Sequence, residues 1–144
     1  MSSSTKTHTY QSSVYWQEGK KGFLASHGKQ DLPVSAPSEF GGPAGLWSPE
    51  DLYVASANAC FMTTFLYFAE KAKIDLIGFE SQAEGTLEFV DGKFKMTRIH
   101  LTPWVSLSHP EDQERARALL EKSKQYCLIS NSMETEVTVD GKVF

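Results

Sequence analysis

The chain of 144 residues carries 14 Lys+Arg against 18 Asp+Glu, a formal net charge of −4, and a hydrophobic share of 40%. That length suits a single globular domain over residues 1–144, and that hydrophobic share excludes a disordered or fibrous chain. The acidic balance leaves no basic face for nucleic acid, and two cysteines are too few for the disulfide scaffold of a small secreted domain.

Residues 1–7 read as a flexible tail, and the first six lack the apolar core of a secretory signal, which points to the cytoplasm. Thr7 to Glu18 places β-formers (Thr9, Tyr10, Val14, Tyr15, Trp16) among polar residues and predicts a strand. A turn over Glu18–Gly22 returns the chain through Phe23–Ser26, and Asp31–Ser35 predicts a short edge strand because Pro33 cannot donate to a ladder. Ser38–Gly45 is a glycine-rich loop. Ser48 as N-cap, Pro49 at the first helical position and two carboxylates, Glu50 and Asp51, then predict a helix start. That helix is expected to run to about Lys71. Leu76–Val90 and Lys93–Ser106 form a long hairpin around Asp91-Gly92. Ser108 to Glu111 has capping-box spacing and opens a second helix through Tyr126. Glu134–Phe144 is a last strand with an Asp140-Gly141 turn inside it. Strand runs joined by hairpins, with helices between the runs, define an α+β class with antiparallel sheets.

Leu52 to Ala69 is 18 residues without a formal charge, near the lower limit for a membrane span. Ser56, Asn58, Thr63 and Thr64 within it fit a helix buried by protein better than one in lipid. The small residues of Ala55–Ala59 would let a second helix or a second subunit approach closely, which suggests an intimate dimer.

Chemistry is narrowed by what is missing. The four histidines show no HxxH or HExxH spacing and no CxxC exists, so a metal site is not expected. No G-x-S-x-G elbow marks a serine nucleophile, and Gly41-Gly42-Pro43-Ala44-Gly45 lacks the lysine of a phosphate loop. Cys60 in the first helix and Cys127 at the end of the second remain. Each reads as a buried structural thiol or as a reactive one, and reactivity would require the thiolate. Mid-helix Cys60 lacks the dipole of a helix N-terminus, so a cation would have to lower its pKa. Glu50 either complements the helix dipole or has a special role; it stands ~15 Å along the helix from Cys60 and cannot touch it there.

Ser35–Glu39 with Gly41-Gly42, then Ser48-Pro49-Glu50-Asp51-Leu52, then Ala57–Phe61 around Cys60, then Cys127–Met133 resemble the OsmC/Ohr superfamily, the osmotically inducible protein C and organic hydroperoxide resistance proteins. The similarity runs from about Val14 to the C-terminus. It implies an OsmC-like α+β fold in which two long helices lie centrally within an intertwined homodimer. It also implies thiol peroxidase chemistry on organic hydroperoxides, with Cys60 as the peroxidatic cysteine, Cys127 as the resolving one, and a Cys60–Cys127 disulfide between turnovers. Glu50 matches the glutamate that pairs with an active-site arginine. The resemblance further implies reduction by a dithiol, lipoyl groups in particular, and no bound metal or organic cofactor.

Two positions depart from the pattern. No arginine stands in the first hairpin turn, where Lys20 occupies the matching place, with Lys21 and Arg98 as alternative cations. Leu128 follows the second cysteine where many relatives carry proline. A small apolar ligand-binding protein with idle thiols is the rival from another class. A cysteine hydrolase is disfavoured because no motif ties a histidine to Cys60.

Overall fold

The structure, a computed structural model, describes residues 6–144, so five of the seven residues expected in the tail lie outside the described residues. The chain divides after Asp51 into two units. In the first, β1 (Ser13–Glu18), β2 (Lys21–Ala25) and β3 (Leu32–Ser35) form an antiparallel sheet in that order. The first turn is tighter than the sequence suggests, because Glu18 already pairs with Lys21 and Gly19 takes φ +53°. Strand β1 begins at Ser13 rather than Thr7, since β2 ends at Ala25 and its last residue pairs with Ser13, leaving residues 7–12 without a ladder partner among the described residues.

Helix α1 (Pro49–Lys71) begins and ends where expected. Its start is a closed capping box. Ser48 Oγ accepts the Asp51 N–H at 3.1 Å, and Asp51 Oδ2 accepts the Ser48 N–H at 3.0 Å.

The second unit holds one apolar core. Ala57, Phe61, Phe65 and Ala69 recur every four residues on α1 and bury one stripe. They meet strand β5 (Lys93–Leu107), whose Ile99, Leu101, Pro103, Val105 and Leu107 alternate inward. Strand β4 (Leu76–Val90) pairs antiparallel with β5 around Asp91 and Gly92 at φ +51° and +80°, the double positive φ of a tight hairpin. Helix α2 (Gln113–Tyr126) closes the core with Ala116 and Leu120.

Three expectations change at the C-terminal end. Ser108 is not the N-cap, because the helical backbone starts later: Pro110–Asp112 form a 3-10 turn after His109, and α2 follows from Gln113, while the Ser108 N–H is held by Asp75 O at 3.1 Å. A four-residue helix, α3 (Leu128–Asn131), follows Cys127 and has no apolar period long enough to read in sequence. Finally, β6 (Glu136–Val139) and β7 (Lys142–Val143) both add to the free edge of β5 in parallel, since α2 carries the chain back across the unit. Asp140-Gly141 therefore interrupts a strand and does not reverse it. The break falls beside Pro103, which has no N–H to offer a ladder, and a Cβ at Gly141 would stand 2.8 Å from Leu120 Cδ1.

Candidate functional site

Cys60 owes its position to the α1 stripe. It directly precedes Phe61, so its side chain sits at the margin of the buried face, half-buried, with Sγ 3.9 Å from Thr64 Oγ1 one turn on. Cys127 is placed by a break in helical backbone. At φ −69° and ψ 105° it separates α2 from α3, and its side chain is 1% exposed within the core. Both cysteines are free thiols, and Cys60 packs against the core that holds Cys127, near enough to act on its ionisation.

The electrostatics of Cys127 follow from those neighbours. Burial pushes its thiol above the ordinary thiol range, as desolvation must for a group that gains charge on ionising. The adjacent Cys60 raises it further. Ser130 opposes both: its Oγ donates to Cys127 Sγ at 3.3 Å, and its backbone N–H also points at the sulfur. Burial wins, so Cys127 at neutral pH is a protonated thiol held in place by a serine.

A cavity of about 170 Å³ opens on Cys127 and is lined also by Phe61, Lys124, Ser130, Asn131 and Thr135, with Val137 and Val139 on its strand side. Cys60 is not in its wall. A larger one of about 600 Å³ lies across the Tyr53–Thr135 hydrogen bond, 2.6 Å, and is lined by Met96, Met133 and the Lys95–Glu134 ion pair among others.

The other expected site residues lie in the first unit. Glu50 sits in the first turn of α1, and its Oε1 is buried without a hydrogen-bond partner among the described residues. Lys20 is exposed in the β1–β2 turn and donates from Nζ to Phe40 O at 2.8 Å. Lys21 pairs with Glu18 at 3.2 Å, and among the described residues neither lysine forms an ion pair with Glu50. Arg98, in the second unit, pairs with Glu88 at 3.6 Å. Among the described residues no three His, Cys, Asp or Glu side chains gather as a metal site would require.

Ser130 and Lys124 were not singled out from the sequence. Their spacing carries the signal: each is three residues from Cys127, one helical turn to either side.

A half-buried cysteine on a long apolar helix, near a buried cysteine at a helix break within an α+β unit, defines a dithiol protein. The chain belongs to the OsmC-like protein family, whose model matches residues 42–142. It is 27% identical over 108 residues to peroxiredoxin OsmC of Escherichia coli, covering 75% of this chain and 74% of that one. It is 25% identical over 107 residues to the uncharacterized protein YmaD of Bacillus subtilis, 72% of this chain and 71% of that one. Among solved structures, an OsmC-like protein of unknown function from Vibrio cholerae superposes with a TM-score of 0.86 at 22% identity, covering 94% and 99% of the two chains, a likeness of fold. An organic hydroperoxide resistance protein OsmC from Legionella pneumophila superposes with a TM-score of 0.72 at 27% identity, covering 95% and 98%. The OsmC-like α+β fold expected from the sequence is the fold found.

Proposed function

We propose that this chain is a thiol-dependent peroxidase that reduces organic hydroperoxides to alcohols, acting as a homodimer in the cytoplasm with a dithiol as reductant. The observation that carries the reading is the juxtaposition of a half-buried Cys60 with a buried Cys127. The names of the Escherichia coli and Legionella pneumophila relatives support it.

The chemistry balances as follows. The Cys60 thiolate attacks one peroxide oxygen, the O–O bond breaks, and the alkoxide leaves and takes a proton to become the alcohol. Cys60 is then a sulfenic acid. Cys127 sulfur attacks Cys60 sulfur, the S–O bond breaks, and the hydroxyl leaves as water once the Cys127 proton is transferred. A disulfide results, and a dithiol returns two electrons and two protons. Attack by Cys127 needs its proton to leave, and the Ser130 donors stabilise the charge that forms.

Glu50 and Lys20 enter this proposal on the resemblance to the family. A buried carboxylate oxygen without a partner favours a cation, and the Lys20 ammonium spends its one observed hydrogen bond on a neutral carbonyl. Lysine is a point charge without the planar fork of arginine, so slower oxidation than in arginine-bearing relatives is expected.

The test is free-thiol titration before and after one equivalent of cumene hydroperoxide. Loss of both thiols, an intact mass lower by two hydrogens and release of the alcohol are expected. Cys60→Ser removes turnover, because a hydroxyl is barely ionised at neutral pH. Two thiols that still titrate would overturn the peroxidase and leave a small-molecule binder using the 600 Å³ cavity.

A further inference from the structure

The reducing half of the cycle needs a route to the disulfide, and the two sulfurs do not offer equal ones. A thiolate displaces one sulfur of a disulfide from the other by attack at a single sulfur, so which sulfur a reductant reaches decides the intermediate. The attacking atom must approach along the S–S axis, from the side opposite the leaving sulfur. For attack on Cys127 with Cys60 leaving, that means space beside Cys127 away from Cys60. The cavity of about 170 Å³ offers space against one sulfur of the pair: Cys127 is in its wall and Cys60 is not.

Its lining suits a thiolate. Lys124 and Asn131 are exposed residues that reach the cavity from the surface, and Lys124 makes no ion pair among the described residues. Ser130 Oγ, within the wall, already donates to Cys127 Sγ at 3.3 Å and is placed to do the same for charge on that sulfur. Phe61, Val137 and Val139 supply an apolar floor for an alkyl stem. The volume equals roughly five or six water molecules at ~30 Å³ each, enough for a slender alkyl thiol.

We propose that this cavity is the entry port of a small dithiol reductant, one thiolate of which attacks the Cys127 sulfur of the disulfide with Lys124 drawing the anionic nucleophile in. The proposal rests on the peroxidase reading, and specifically on its Cys60–Cys127 disulfide. The reductant thiolate forms a bond to Cys127 Sγ, the Sγ–Sγ bond breaks, and the pair of electrons leaves on Cys60 as its thiolate. A second thiol of the reductant then attacks its own sulfur in the mixed disulfide and releases Cys127, which takes a proton. Cys60 is thereby restored in the ionised form that the next hydroperoxide requires, one step before Cys127.

The test starts from the disulfide made with diamide, so that no hydroperoxide chemistry is needed. The oxidised protein is mixed with limiting mercaptopropionate or cysteamine, quenched with N-ethylmaleimide and mapped by peptide mass. Mercaptopropionate or cysteamine on Cys127 and maleimide on Cys60 are expected. The ratio of the mercaptopropionate rate to the cysteamine rate is expected to fall in Lys124→Glu and to be retained in Lys124→Arg; a merely structural lysine would change both rates alike. Adducts on Cys60, or a rate ratio indifferent to Lys124→Glu, overturn the port. Failure of diamide to join the two cysteines would instead remove the disulfide on which the peroxidase reading stands, and the port with it.

Discussion

The protonation of Cys127 has causes that are testable residue by residue. Cys127 is 1% exposed and its thiol is raised by burial, with Ser130 pulling the other way. A raised thiol is protonated at neutral pH and gains thiolate as pH climbs through its shifted value, so resolution of the Cys60 sulfenic acid should accelerate with rising pH. Stopped-flow measurement of disulfide formation from neutral to alkaline pH checks this, and a flat profile would refute it. Ser130→Ala removes one of the two donors and should move that profile to higher pH. Cys127→Ser should give one fast turnover and then accumulate oxygen on Cys60 under excess hydroperoxide, seen as sulfinic acid by intact mass, where the parent loses two hydrogens. The residue types of this chemistry were legible because cysteine is rare here and no competing motif exists. Ser130 was not, because a serine three residues from a cysteine acquires meaning only when a helix break turns both inward.

At the scale of elements, legibility followed local signals and failed where long-range pairing decided. Helix α1 was readable because Ser48, Pro49 and Asp51 act within four residues of one another, and the Asp91-Gly92 hairpin because both residues adopt positive φ. Ser48→Ala should cost ~1 kcal/mol of stability, the usual loss for an N-cap, measurable by urea denaturation. The start of β1, the 3-10 turn before α2 and the parallel β6 and β7 depend on what a distant strand leaves available, which a local pattern does not encode. Gly85 shows the same dependence. Nothing in Glu84-Gly85-Thr86 demands glycine, yet a Cβ there would collide with Val54 on α1 and stand 2.9 Å from Met96 Cε. Gly85→Ala should therefore destabilise by ~1–3 kcal/mol, since overpacking a helix–sheet contact forces side chains off their rotamers. An unchanged denaturation midpoint would show that Val54 and Met96 yield without strain.

For the molecule as a whole, the surface of α1 poses the remaining question. The helix is long and apolar enough to cross a membrane by length and composition, and only part of it is buried in this chain. Ala57, Phe61, Phe65 and Ala69 are spent on the core, while Met62, Leu66 and Tyr67 stand 37%, 38% and 54% exposed on the turns between them. Tyr126 and Leu128, at 60% and 65%, add apolar surface beside the end of α2. Exposed apolar patches of this kind mark contact surfaces. A bilayer is one cover and a second copy of the chain is the other. Ala55 and Ala59 favour the second copy, because small residues let two helix backbones approach closely. We therefore expect a dimer in detergent-free buffer. Sedimentation should give twice 16.1 kDa at micromolar concentration, and Leu66→Glu should shift the equilibrium to monomer without altering the far-ultraviolet spectrum. A parent chain that sediments as a folded monomer would refute the homodimer, and one that requires detergent would show that α1 is covered by lipid.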